Sequence, residues 1–210
     1  MLKVVAILAV TTLCGLQSTH VHSQCGDLVN GNFGPFDYRT APKATKDIVE
    51  SAHFTTDVET LRAGSSNVNI AGDLAYTLGV FPNHPRALLA ISNLGLRQKV
   101  TKPTGAKWTV DCYFDRAIRW QPDDQLVRLV YGIHLINRGQ KDAARAQLAI
   151  AEQNQLDQAS FQYNLGLAFL NVDDTERALA HAWRAYALGY ELLGLRRRLE
   201  KLGKWRDPEQ

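Results

Sequence analysis

The side chains of this sequence that could do chemistry are its histidines, its cysteines and its paired aspartates. Beyond residue 23 the histidines are His53, His84, His134 and His181, and their spacing fits neither the HExxH motif nor a His–Cys zinc set. The sequence also has no GxSxG elbow, no phosphate-binding P-loop and no glycine-rich dinucleotide turn. We therefore predict no catalytic residue, no metal site and no cofactor, and we interpret His134 and His181 as packing or surface residues.

The acidic pairs Asp123-Asp124 and Asp173-Asp174 could form an acid pair or a calcium site. A calcium-binding EF-hand loop needs further oxygen ligands and a glycine at set spacings, and neither pair has them. The first pair precedes a stretch with helical spacing, and the second lies between two such stretches. We interpret both pairs as helix caps, whose carboxylates accept hydrogen bonds from free N–H groups in the first helical turn.

The elements that hold these side chains follow a repeat of 34 residues across residues 117–190. A shift of 34 positions aligns Gly132 with Gly166 and Ala144 with Ala178. A fixed period of this length is typical of stacked supersecondary units. We predict that the two glycines lie where neighbouring helices come closest, because a residue without a side chain permits close approach.

The pattern of this period resembles the tetratricopeptide repeat. The copy at 159–192 matches the family pattern at Gln162, Leu165, Gly166, Phe169, Ala178, Ala182 and Ala185. The copy at 125–158 matches it at Tyr131, Gly132, Leu135, Ala144, Leu148 and Ala151. The resemblance implies an all-α fold, a right-handed solenoid of antiparallel helix hairpins with an irregular N-terminal arm and a C-terminal capping helix.

The repeat also predicts how the whole chain is divided. We expect a half repeat at 69–84 and full repeats at 85–124, 125–158 and 159–192, with the extra residues of the first full repeat in its inter-helix loop. An arm at 24–68 precedes the repeats and holds one helical segment around 45–63, with 53–55 as its point of interruption. Its three aromatic residues are predicted to insert into the stack: Phe33, Phe36 and Tyr38. A capping helix and tail at 193–210 follow, with a basic, solvated outer face.

Residues 1–23 have the pattern of a secretory signal peptide. Lys3 precedes the apolar run Val4–Leu16, which is too short to span a bilayer, and we expect cleavage after Ser23. The mature protein would then be periplasmic or secreted, with an uncleaved anchor as the alternative. The formal charge of the whole chain is +3, and loss of Lys3 lowers it, so this balance does not imply a nucleic-acid partner.

Two cysteines, Cys25 and Cys112, follow the predicted signal peptide. An even pair in an exported protein is more often bridged than free, so we predict a disulfide between them. It would tie the start of the mature chain to the second helix of the first full repeat. One buried thiol and one exposed thiol are the alternative.

The resemblance also implies a binding surface, because the first helix of each tetratricopeptide unit lines a concave groove. The groove-facing positions correspond here to Leu126, Leu129, Ile133, Ile136, Asn137, Ser160, Tyr163, Leu167, Leu170 and Asn171. Most are apolar, which favours an apolar helix or extended segment of another protein as the ligand. We therefore predict a non-catalytic scaffold or chaperone-like adaptor in the bacterial envelope, which binds another envelope or secreted protein in this groove.

Two other functions stay open at this point. One is a small-molecule binder or enzyme with a pocket between the arm and the repeats, closed over His53 or His84. The other is a structural accessory protein whose arm fills the groove permanently. The composition, with 45% hydrophobic and 21% charged residues, is that of an ordinary globular protein and does not separate them.

Overall fold

A computed structural model describes residues 25–29, 33–65, 69–153 and 156–208 of the chain. The predicted signal peptide lies outside these ranges. Within them the regular structure is helical throughout, which confirms the all-α class. The helices are α1 (Lys43–His53), α2 (Thr56–Glu59), α3 (Ile70–Val80), α4 (Pro85–Gln98), α5 (Val110–Trp120), α6 (Gln125–Asn137), α7 (Lys141–Glu152), α8 (Ala159–Asn171), α9 (Thr175–Ala187) and α10 (Gly194–Lys201). The helix expected over 45–63 is divided at Phe54, whose backbone leaves the helical region.

Polar side chains fix the first turns of several helices. Asp124 accepts a hydrogen bond from the N–H of Val127, and Asp174 accepts one from the N–H of Arg177. The capping role predicted for both acidic pairs is therefore confirmed for Asp124 and Asp174. Asp123 and Asp173 do not cap; they form ion pairs with Arg39 and Lys141. At these starts the side-chain oxygen satisfies an N–H that has no partner within the helix. The helices α1, α7, α8 and α10 begin without a side-chain cap.

The helices pack in pairs along the chain. Helices α6 and α7 form one closely packed pair, and α8 and α9 form another. The first helices of the three successive units, α4, α6 and α8, contact one another in that order, and each second helix contacts the first helix of the next unit. Each unit thus packs on its sequence neighbours, which is how repeat proteins bury their apolar faces.

Gly132 and Gly166 lie at the closest points of these pairs. A Cβ atom built on Gly132 would meet Leu148 Cδ2 of α7 at 2.5 Å. One built on Gly166 would meet Leu195 Cδ2 of α10 at 2.6 Å and the Ala178 carbonyl oxygen of α9 at 3.2 Å. The prediction that these glycines permit close approach of helices is confirmed.

The N-terminal arm packs on α3, α4 and α5. Phe36 donates its backbone N–H to the Val80 carbonyl at 2.8 Å, and the rings of Phe36 and Tyr38 contact Phe81. Phe33 was expected to be buried with them, but it keeps 44% of its surface exposed because it lies at the edge of a cavity rather than in the core.

The predicted disulfide is present. Cys25 and Cys112 are bonded, with a sequence separation of 87. Cys112 lies in α5, within the segment expected as the first full repeat, so the bond fixes the arm on that helix. The side chain of Arg116 reinforces the attachment, because its guanidinium donates to the backbone carbonyls of Cys25 and of the three residues that follow.

Candidate functional site

The predicted groove residues fall into three groups by exposure. Leu129, Tyr163 and Leu170 are buried in the core formed by the second half of the chain, with exposed fractions of 3%, 8% and 5%. The partly buried members pack against the same core: Leu126, Ile133, Ile136 and Leu167. The exposed members are polar: Asn137, Ser160 and Asn171. Any partner of this surface would therefore contact the second and third groups, with the first as the floor beneath them.

The chain's own C-terminal segment covers part of this surface. The ring of Tyr190 lies 4.3 Å from that of Tyr163, measured between centroids, and Gly194 lies close to the Tyr163 hydroxyl. Arg198 of α10 donates to Asn171 Oδ1 at 2.7 Å. These contacts explain the burial of Tyr163, which helical periodicity alone did not indicate. The described part of the arm packs on α3, α4 and α5.

A chain of hydrogen bonds joins Ser92, His134 and Asp111, which are the residue types of a hydrolase triad. Ser92 Oγ lies 2.8 Å from His134 Nδ1, and Asp111 Oδ1 lies 3.3 Å from His134 Nε2. The carboxylate also accepts from Arg138 at 2.6 Å. Hydrogen bonds from His134 and Arg138 hold the pKa of Asp111 below its usual range.

This arrangement links helices of neighbouring units. Ser92, His134 and Asp111 lie on α4, α6 and α5, so the bonds tie three helices together. Ser92 and His134 border a cavity of about 320 Å³, and their exposed fractions are 1% and 3%.

The other histidines are also held within the fold. His181 Nδ1 lies 2.6 Å from Gln162 Oε1, and its ring stacks on Phe169. His53 Nδ1 lies 2.9 Å from Asp73 Oδ1. His134 and His181 are thus packing residues, as the sequence indicated.

His84 is fully buried and caps α4. Its Nδ1 accepts a hydrogen bond from the Ala87 N–H, so the proton of the neutral ring lies on Nε2. Nε2 is 3.3 Å from Glu50 Oε1 but is not aligned for a hydrogen bond. Burial lowers the pKa of His84 to about 4. The ring is covered by Tyr38 and Phe54, so it does not face the pocket expected over it.

A second cavity, of about 480 Å³, lies between the arm and the repeats. Its walls come from four segments: Phe33 and Gly34 of the arm, residues 75–80 of α3, Lys107 and Trp108 before α5, and Tyr113 and Arg116 of α5. A pocket between the arm and the repeats was one of the alternatives that the sequence left open, but none of these residues was predicted.

The cavity combines aromatic walls with positive charge. Phe33 and Tyr76 are 44% and 45% exposed at its rim. The Lys107 ammonium lies 5.2 Å from the centroid of the Trp108 ring, and the Arg116 guanidinium lies 5.5 Å from the same centroid. Clefts of this volume with apolar walls and a few polar groups are typical of small-molecule sites.

Local contacts hold the aromatic wall in place. The Tyr113 hydroxyl accepts hydrogen bonds from the backbone N–H groups of Lys107 and Trp108. A Cβ atom at Gly26 would meet the Trp108 indole at 2.6 Å, so the arm contacts the ring at close range. The position of Trp108 therefore depends on both α5 and the disulfide-linked arm.

Comparison with known proteins gave no match: no family model, no curated protein and no solved structure is similar to this chain. None of the helices in the described ranges is long and apolar enough to cross a membrane. Among the same residues, no three histidine, cysteine, aspartate or glutamate side chains come together as a metal site.

Proposed function

We propose that this protein is a non-catalytic interaction module of the tetratricopeptide-repeat kind, which binds a segment of another exported protein. The proposal rests on the contact order of α4, α6 and α8, the first helices of three successive units. Side-by-side first helices form one continuous surface, and residues one period apart recur along it. Such a surface suits a helix or an extended segment.

The side chains at the α6–α8 part of this surface support an amphipathic ligand. Leu126, Ile133 and Leu167 are only partly buried, so each can still lose apolar surface to a partner. Asn137 and Asn171 are exposed one period apart, at the last positions of α6 and α8. An amide side chain both donates and accepts hydrogen bonds, so it can pair with a peptide backbone.

An exported location is supported by the disulfide. Bonds of this kind persist in oxidising compartments and are rare in the cytosol. Together with the signal-peptide pattern of residues 1–23, the bond between Cys25 and Cys112 favours a periplasmic or secreted protein. The partner would then be another envelope or secreted protein.

Site-specific photo-crosslinking in the producing cells tests this proposal. A photoreactive phenylalanine analogue would replace Asn137 or Asn171 on the surface, and Ile48 on α1 as a control, because Ile48 is also exposed but lies away from it. We expect the same partner to be captured from positions 137 and 171 and not from position 48. Equal capture from all three positions, or none from the first two, would contradict the proposal.

A purified complex then allows a quantitative test. The double substitution Leu126→Gln and Leu167→Gln should weaken binding of the captured segment, because it removes apolar contact from both first helices. Ile48→Gln is the matched control and should leave binding unchanged. Thermal melts of each variant verify that a loss of binding is not a loss of fold.

A further inference from the structure

We propose that the 480 Å³ cavity between the arm and the repeats is a binding site for a small organic anion with an aromatic ring, of which an aromatic carboxylate is the simplest example. The site is separate from the α6–α8 surface. It shares none of the residues proposed there, so either proposal can fail without the other.

The aromatic part of this ligand is inferred from the walls. Phe33, Tyr76, Trp108 and Tyr113 border the cavity, and Leu78 and Val80 complete its apolar surface. Aromatic rings bind flat apolar groups through their faces and edges. Phe33 and Tyr76 are the members with large exposed surface, so a ligand that enters between them would remove this surface from water.

The negative charge is inferred from the two cations. Arg116 is 2% exposed, and its guanidinium donates to backbone carbonyls of the arm, with Asp115 and Asp27 near enough to favour its charged form. Lys107 is exposed at the rim, and among the described residues its ammonium lies over the Trp108 ring and pairs with no carboxylate. Both cations border the cavity, and a cleft lined by charges of one sign attracts the opposite sign.

Gly79 provides independent support that the cavity is kept open. It lies within α3, where glycine is less favourable than alanine by about 1 kcal/mol. Unlike Gly132 and Gly166, it has no packing reason to be glycine, because a Cβ atom there would meet no atom within 4 Å. The space in front of it belongs to the cavity, so a larger residue would occupy the volume that we assign to the ligand.

The test uses 2-naphthoate as the probe and isothermal titration calorimetry at low ionic strength. Gly79→Leu should fill the cavity and reduce affinity by at least tenfold. Gly79→Ala has a similar helical gain but adds only a methyl group, so it should reduce affinity much less than Gly79→Leu does. Since neither substitution meets a neighbouring atom at Cβ, both variants should fold, and their thermal melts verify this.

A second set of variants and probes tests whether the ligand must carry a negative charge. Lys107→Gln should weaken 2-naphthoate about three- to fivefold, the range expected for one exposed charge, whereas Lys102→Gln in the same loop should have no effect. 2-Naphthalenemethanol, which has the same rings but no charge, should bind less well than the carboxylate. Added salt should reduce this difference, because it screens the cations.

A free aromatic acid and the C-terminal residue of a peptide share this chemistry. Gly-Gly-Phe and its C-terminal amide distinguish them: a tighter fit of the peptide acid than of 2-naphthoate identifies a peptide end as the ligand, and the reverse identifies a free acid. The proposal is overturned if 2-naphthoate does not bind, if Gly79→Leu binds as well as Gly79→Ala, or if the neutral alcohol binds as tightly as the carboxylate.

Discussion

Replacing Gly166 by alanine should destabilise the protein, although alanine favours a helix over glycine by about 1 kcal/mol. The added methyl group would lie 2.6 Å from Leu195 Cδ2, 3.2 Å from the Ala178 carbonyl oxygen and 3.3 Å from His181 Cβ. Leu195 is fully buried, and the other two contacts belong to the facing helix α9. The clash of the added methyl group can therefore be relieved only if α8 and α9 move apart. Forced insertion of a methyl group into a packed interface costs about 1–3 kcal/mol.

Gly79→Ala separates the two effects, which are the higher helix propensity of alanine and the free-energy cost of forcing a methyl group into the interface. That substitution has the helix gain but no packing cost, so it should raise the free energy of unfolding by about 0.5–1 kcal/mol. The difference between the two variants should therefore be about 1–3 kcal/mol, with Gly166→Ala the less stable. Equilibrium urea unfolding measures it directly, since the midpoint shifts while the slope stays constant. A Gly166→Ala variant as stable as Gly79→Ala would show that the helices do not meet at Gly166.

Three further predictions concern single features of the fold. The double substitution Cys25→Ser and Cys112→Ser removes the disulfide, which closes a loop with a sequence separation of 87. In the chain-entropy model this loss should lower the free energy of unfolding by up to about 4.5 kcal/mol. Urea unfolding of the variant and of the oxidised protein measures the difference. Phe169→Ala removes a fully buried ring and should cost about 3–5 kcal/mol; an unchanged melting midpoint would contradict its place in the core. Because burial lowers the pKa of His84 from 6.5 to about 4, the unfolded chain binds more protons between these values, so stability should fall by up to about 3 kcal/mol as the pH drops through this window. His84→Asn keeps a capping side chain without a titrating ring and should reduce this slope; an unchanged slope would contradict the assignment.

Much of the helical framework could be predicted because its signals are local. Small residues at Gly132 and Gly166 recur with the period at which helices must touch, and aspartates stand where first turns need a cap. The pairing of Cys25 with Cys112 followed from their number and the expected compartment. Each of these inferences needs only the sequence around one position or one repeat.

Which of the groove residues are buried and which are exposed could not be predicted in the same way. Helical spacing indicates which residues share a face, but it does not indicate what covers that face. Tyr163 is buried because Tyr190 and Gly194 fold back over it, and those residues lie in a segment with no repeat pattern of its own. The buried floor and the exposed rim of the α6–α8 surface become distinct only in three dimensions.

The aromatic cavity has no sequence signature for a related reason. Its walls come from residues 33–34, 75–80, 107–108 and two positions of α5, which are separate in the chain. The signals that exist are weak when taken singly: a glycine inside a helix at Gly79 and a Lys-Trp pair before the cap of α5. Only the docking of the arm on α3 and α5 brings them together.

The attachment of the arm has a consequence for when the protein becomes competent to bind. Gly26 contacts the Trp108 ring, and the carbonyls around it hold Arg116, yet this short stretch is fastened to α5 by a bond that forms only where thiols are oxidised. A newly made, reduced chain would have its repeats but not the finished wall of the cavity. Under the export that we propose, the site would be completed only on arrival in an oxidising compartment.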